Sequence, residues 1–420
     1  MTHITGLECL NCGATFAEQL MFGGCPECKT DDFRSNVAPT YDYDAIRSSI
    51  TKEEIEQREG GVWAYPEFLP VDEKYTNPIG EGNTPLVSLQ TIGEQWGLSN
   101  LYVKDESQNP TWSYKDRLNS VAIANAVAND VDIVTISSTG NHGASTAAYT
   151  ARNGLESVIF TIPDVPATIK TLMQVYGANV VATPTMHGRW EIMQTCIDKF
   201  DWYPTSNYNI PPVGSNFYGI EGYKSIAYEI CVDLDWEVPD WIVQPVAQAD
   251  GLSGVWRGFK DLHEIGFIDE LPKMVAVERF GPLKNALEND LDHIEPVEAD
   301  STVAFSIGGG ISSYQGLVTL RESNGTAITV NDDTIRELQH TLGAKAGIYS
   351  EAASVAAVAG VRALAMDDII EADDTVIALN TSTGLKDTAM TAESLPDVPT
   401  IEPDIDELRE TLQTQYNVEI

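Results

Sequence analysis

The chain has 420 residues, of which 63 are acidic and 25 basic, so its formal net charge at pH 7 is −38. A surface of that sign repels nucleic-acid phosphates and anionic lipid headgroups, which excludes both as partners; adaptation to high salt, where ions screen self-repulsion, is the simplest meaning of the acidic coat. With 43% hydrophobic residues the chain can bury two or three cores, no apolar run reaches the roughly 18 residues of a membrane span, and the start lacks a signal-peptide pattern, so a soluble, cytoplasmic protein is expected.

In chain order, the first signal is the pair of motifs Cys9-Leu-Asn-Cys12 and Cys25-Pro-Glu-Cys28. Two such turns can aim four thiolates at one tetrahedral ion and staple a segment too small to own a core, which predicts a structural zinc ribbon over 1–34. A pair of disulfides is the alternative, but nothing in the chain points to secretion. Cys196 and Cys231 stand alone in apolar surroundings and read as core residues. Residues 35–75 are irregular and acidic, with a helix expected near 51–59. From residue 101 onward, apolar β-type runs at 131–137, 157–162 and 179–183 alternate with helical patterns at 144–152 and 169–176. A second such region holds strands at 241–246, 274–277 and 375–380. This alternation predicts an α/β fold with two parallel-sheet domains. The expected division is a smaller domain over 111–214, a larger one from 35–110 with 215–395, and an acidic carboxy-terminal helix within 396–420, near 405–414.

The chemistry gathers at strand ends. Ser137-Ser138-Thr139-Gly140-Asn141-His142-Gly143 joins an apolar run to an alanine-rich helix, where free N–H groups and the helix dipole favour a carboxylate or phosphate. A plain capped turn is the competing reading. Lys115 opens a helical pattern, against the positive end of its dipole, a place that favours a neutral, nucleophilic amine. Gly308-Gly-Gly310 reads as a turn, His142 as equally a packing residue, and the Asp-Asp pairs as part of the acidic coat.

The run Asn109-Pro-Thr-Trp-Ser-Tyr-Lys-Asp-Arg117 resembles the signature of threonine synthases, fold-type II enzymes dependent on pyridoxal 5′-phosphate whose lysine carries the cofactor as an imine. Ser138 to Asn141 is similar to their STGN loop. The resemblance continues, in order, through Gly80-Glu-Gly-Asn-Thr-Pro-Leu86, Ile220-Glu-Gly-Tyr-Lys-Ser-Ile226, Gly347-Ile-Tyr-Ser-Glu-Ala-Ala-Ser354 and Thr381-Ser-Thr-Gly-Leu-Lys-Asp387, and the ribbon is similar to that of archaeal-type members. It implies that Lys115 bears the cofactor and shuttles protons. By the same resemblance Asn141 meets the cofactor's phenolic oxygen, Thr381 faces its ring nitrogen, Val246, Ala247, Gln248, Ala249 and Gly251 hold its phosphate, and Ser138, Thr139 and Gly140 take the substrate carboxylate. A hydroxyl at Thr381 leaves that nitrogen uncharged and suits elimination and replacement over transamination.

Three departures from the family pattern carry their own expectations. Val246-Ala-Gln-Ala-Asp-Gly251 stands where the family has a glycine- and asparagine-rich loop; fewer glycines restrict positive φ, and Asp250 would repel a phosphate unless it faced outward. Gly219 stands where the family has an arginine for the substrate phosphate, with Lys224 or Arg189 as candidate replacements. Trp112 takes the place of a glycine and is expected to narrow or reshape the pocket. The reaction implied is O-phosphohomoserine and water to threonine and phosphate, in a possible homodimer acting on a small amino-acid substrate. Dehydration of threonine or serine, β-replacement, and a non-catalytic relative are the alternatives.

Overall fold

The computed structural model describes residues 2–420. Among them the strands form three sheets. The first is antiparallel, built from β1 (Ile4–Cys9), β2 (Thr15–Phe16) and β3 (Val37–Tyr41) in the order β2-β1-β3. Its inner side chains Leu7, Cys9 and Val37, together with Cys25 from the segment between β2 and β3, pack on Phe217 and Tyr218, so the ribbon borrows its core from the main body.

After β4 (Leu86–Ser88) and β5 (Asn100–Asp105) come β6 (Ile133–Ser137), β7 (Glu156–Thr161), β8 (Asn179–Ala182) and β9 (Tyr203–Pro204). The last four make a wholly parallel sheet in the order β8-β7-β6-β9. The remaining strands, β10 (Trp241–Pro245), β11 (Lys273–Glu278), β12 (Thr326–Thr329) and β13 (Thr375–Asn380), join β5 and β4 in a sheet of order β12-β11-β10-β13-β5-β4. All neighbours in it are parallel except the edge strand β4. The architecture is the expected α/β fold with two parallel sheets.

The central strands are buried on both faces, which is why β10, β11 and β13 read as near-continuous apolar runs. β5 is less legible because it carries Lys104 and Asp105, both buried. Lys104 is tolerated there because Asp233 and Glu229 lie 2.9 and 3.1 Å from its ammonium. The predicted helix at 51–59 is only Lys52–Glu56, started by a capping box between Thr51 and Glu54. Helix Lys115–Ala128 is buried along almost its whole length. Its start is anchored by Arg117, whose guanidinium pairs with Glu106 at 2.7 Å and Glu229 at 2.6 Å. Burial alone would raise the Glu229 carboxyl, but Arg117 and Lys104 overcome it and hold it at about 2.

Residues 387–420 form a compact unit of their own, containing helix Ile405–Tyr416. Among the described residues no helix is long and apolar enough to cross a membrane.

Candidate active site

A cavity of about 300 Å³ opens where β6, β10 and β13 end, and the start of helix Lys115–Ala128 closes one side. Carboxyl ends of parallel strands leave their loops free to converge, so a crevice there is the usual consequence of this fold. Every residue expected to meet cofactor or substrate lines it: Lys115, Ser138, Thr139, Gly140, Asn141, Val246, Ala247, Gln248, Ala249, Gly251 and Thr381. The Lys115 ammonium sits 4.8 Å from the Tyr114 ring and 5.7 Å from that of Tyr223, with no acidic partner among the described residues. Burial, helped by the charge of Lys115, pushes His142 well below the usual histidine range, so its imidazole is neutral. Its buried Nε2 has no hydrogen-bond partner among the described residues.

The 137–143 turn is held by Ser138, whose Oγ accepts from the N–H groups of Gly140 and Gly143 at 3.2 and 3.0 Å. The N–H groups of Thr139, Asn141 and His142, at the start of helix Asn141–Asn153, have no partner among the described residues. Asn141 is fixed at both ends of its amide. Its Nδ2 donates to Glu351 at 2.7 Å, while its Oδ1 accepts from Lys386 at 2.6 Å and Ser382 at 3.3 Å. Burial brings the Lys386 amine down to about 8, against the opposing pull of Asp116 and Glu351. Burial likewise lifts Asp116 to about 6, although hydroxyls of Ser145 and Thr111 donate to it at 2.6 and 2.5 Å. Thr381 shares a 2.8 Å hydrogen bond with Ser354.

The 246–251 loop fits a phosphate better than its composition promised. Ala249 takes φ 57°, the left-handed conformation that a glycine would adopt without strain. The N–H groups from Ala247 to Leu252 lack partners among the described residues, a row of donors ahead of helix Asp250–Glu264. Ser312 and Ser313 hold the loop from behind, donating to the carbonyls of Ala247 and Gln248 at 2.7 and 2.5 Å. Asp250 faces inward, contrary to the outward orientation that tolerance of a phosphate was expected to need. Its carboxylate accepts from Ser215 N–H at 2.8 Å, Ser215 Oγ at 2.6 Å and Gln315 Nε2 at 2.8 Å, which occupies its lone pairs. At Gly251 a Cβ would crowd the Gln244 side-chain amide and the Tyr114 ring, so any larger residue would have to displace them.

The other departures also resolve. A side chain at Gly219 would begin 2.9 Å from both the Leu118 carbonyl and Ala122 Cβ, so glycine is what lets helix Phe217–Ile220 lie on helix Lys115–Ala128. Lys224 is no replacement for a phosphate-binding arginine: it is fully buried and paired with Glu221 at 3.0 Å and Asp261 at 2.6 Å. Arg189, in contrast, lines the cavity. Trp112 does not narrow the pocket. It adopts φ 60°, a left-handed conformation that glycine takes without strain, and its indole is 44% exposed, away from the cavity lining. The segment around Gly309 is not a phosphate loop, yet it supplies a wall through Phe305, Ser306, Ile307, Gly309 and Ile311. Glu351 and Lys386 lay inside motifs already noted but were not singled out; a lone lysine and a lone glutamate in runs of small residues were the available signal.

In the ribbon, the Sγ atoms of Cys9, Cys12, Cys25 and Cys28 all lie within 4.8 Å of one another, with Cys9–Cys28 at 3.6 Å and Cys12–Cys25 at 3.8 Å. Thiolates about 2.3 Å from one tetrahedral ion would stand about 3.8 Å apart, so the four fit a single metal. These separations also rule out the alternative of paired disulfides in this structure, in which all four are free thiols.

Residues 78–382 match the family model described as pyridoxal-phosphate dependent enzyme. The chain is 34% identical over 418 residues to the threonine synthase of Methanocaldococcus jannaschii, covering 97% of this chain and 99% of that one. It is 32% identical over 416 residues to the threonine synthase of Methanosarcina acetivorans, covering 97% and 98%. Among solved structures it is similar to threonine deaminase isoform 2 from Solanum lycopersicum, with a TM-score of 0.62 at 17% identity over 74% of this chain and 84% of that one. That last likeness speaks for the fold alone. Matched over 97% of its length by such relatives, and with Lys115 lining the cavity beside two rows of N–H groups, the chain belongs to the threonine synthase family of pyridoxal-phosphate-dependent lyases.

Proposed function

We propose that this enzyme converts O-phosphohomoserine and water to threonine and phosphate, with pyridoxal 5′-phosphate carried on Lys115. The supporting observation is that Lys115 lines one cavity with two rows of N–H groups unpartnered among the described residues, one at the start of helix Asn141–Asn153 and one at the start of helix Asp250–Glu264. A reaction that needs a cofactor phosphate and a substrate carboxylate held at once needs both rows. When bound, the cofactor supplies an electron sink for proton loss at the substrate carbons. Lys115 then takes and returns protons at those carbons, next to a neutral His142. The N–H groups of Thr139, Asn141 and His142 bind the carboxylate, with Ser138 and Gly140 shaping their turn. Val246 to Gly251 bind the cofactor phosphate, Asn141 its phenolic oxygen, and the Thr381 hydroxyl, steadied by Ser354, its ring nitrogen. The same reading gives the four cysteines a structural zinc ion and places a homodimer in the cytoplasm.

Dehydration of threonine or serine is the second reading, favoured by the missing arginine at Gly219. Holoprotein supplied separately with O-phosphohomoserine, threonine and serine decides between them: phosphate release from the first is expected, and 2-oxo acid from the others without phosphate release overturns it. The visible absorbance of the bound cofactor should vanish in Lys115→Ala. The non-catalytic alternative, raised by the sequence of the 247–250 loop, loses its ground because Ala249 takes the glycine-like conformation and the donors remain free.

A further inference from the structure

The cavity contains a buried cation that the two anion cradles do not explain. Arg189 lies in the first turn of helix Met186–Phe200, where the dipole is already positive and a second positive charge is disfavoured. It is only 7% exposed and lines the cavity. Its Nε donates to the Met186 carbonyl at 3.2 Å and its guanidinium carbon stands 6.0 Å from the Trp190 ring. Among the described residues no carboxylate pairs with it. The contrast within the chain is sharp: Arg117 faces Glu106 and Glu229, and Arg257 faces Glu221 at 3.0 Å. A chain with 63 acidic residues has left this guanidinium unpaired. Burial lowers its pKa to about 10, which still leaves it charged at neutral pH. A desolvated charge of this kind is retained where a ligand supplies its counter-ion.

We propose that Arg189 forms a third anion subsite, which grips the phosphomonoester dianion of the substrate and thereby selects a phosphorylated amino acid. This rests on the threonine synthase reading and gives that reading its missing cation. The two N–H rows are neutral and suit a carboxylate and the cofactor phosphate. Gly219 has no side chain and no room for one, Lys224 is bound to Glu221 and Asp261, and Lys386 is bound to Asn141. A planar fork with two donor edges is the side chain best matched to a phosphate dianion.

The test uses cofactor-loaded protein, in which the cofactor already fills its own phosphate site, and inorganic phosphate as the probe, titrated by calorimetry at constant salt. Arg189→Gln is expected to weaken phosphate binding by about 10- to 100-fold, the loss of one charge-assisted pair, and Arg189→Lys to recover part of it. Cofactor affinity, followed by visible absorbance, should stay within about twofold of the wild type, because the donors of the 246–251 loop are untouched. Unchanged phosphate binding in Arg189→Gln overturns the proposal, as does no measurable binding in the wild type, or an equal loss of cofactor. The two readings fail separately. Holoprotein that binds phosphate through Arg189 yet releases none from O-phosphohomoserine refutes the reaction and keeps the subsite. Phosphate release with the same KM in Arg189→Gln and wild type refutes the subsite and keeps the reaction.

Discussion

The Lys386 ammonium has a position to maintain at the expense of its hydration. It holds the Asn141 Oδ1 at 2.6 Å from a site only 3% exposed. Its amine falls from 10.5 to about 8 through burial, so the proton that orients Asn141 is present below that pH and lost above it. The linkage has the matching sign: the folded value lies below the unfolded one, so this group's contribution to stability is present above 10.5 and lost as pH falls through about 8. The charged form is therefore tolerated at neutral pH despite a penalty. Activity and cofactor absorbance in the wild type should change as pH rises through about 8. Lys386→Met should be impaired but flat across that range, and an unaltered inflection in the variant would refute the role. Lys115 and the Ser138–Asn141 turn could be located in the sequence because their chemistry lies within a few neighbouring residues. The partners of Asn141 could not, because Glu351, just before helix Ala352–Met366, and Lys386, in the loop following β13, are 210 and 245 residues away along the chain.

At the scale of elements, the ribbon and the 246–251 loop are joined by a short chain of hydrogen bonds. Asn36, next to β3, donates to the Ser215 carbonyl and to Gln315 Oε1, both at 3.3 Å. Ser215 and Gln315 are also the residues that hold Asp250 at the start of its helix. If the four cysteines hold the proposed zinc, treating the protein with a chelator, or replacing Cys25 with Ser, is expected to weaken cofactor binding several-fold while the parallel sheets stay folded by circular dichroism. A cofactor affinity indifferent to chelation would refute that coupling. The two CxxC pairs announced the four-cysteine cluster, since the spacing of such ligands is itself sequential. What the cluster adjoins was not readable, because Phe217, Tyr218, Ser215 and Gln315 come from distant segments. The short helix at 52–56 and the strand β5 show the same limit: capping and tertiary ion pairs, not periodicity, decide where they begin and end.

For the whole molecule, the charge of −38 is largely an outer property. Inside, the carboxylates of Glu106, Glu221, Glu229 and Asp261 are buried against Arg117, Lys224 and Arg257, so most of the excess is left to the surface. Self-repulsion on that surface acts over about 10 Å at 0.1 M salt and about 3 Å at 1 M. The melting temperature should accordingly climb with potassium chloride over that interval, and a flat or falling profile would sink this account of the acidic coat. The same screening should hold or improve the affinity for the proposed anionic substrate, whose candidate site is lined by N–H groups and Arg189.

Sequence alone determined the fold class, the four-cysteine cluster, the lysine that lines the cavity and the strand-to-helix turns beside it, because each depends on residues near one another along the chain. Tertiary structure decided the rest. It showed that Gly219 is a packing requirement, that Trp112 points away, that Ala249 can stand in for a glycine, and that Arg189, unlike Lys224, lines the cavity without a carboxylate partner among the described residues. Those outcomes depend on which distant side chains share a buried space, and burial and pairing are set by the fold.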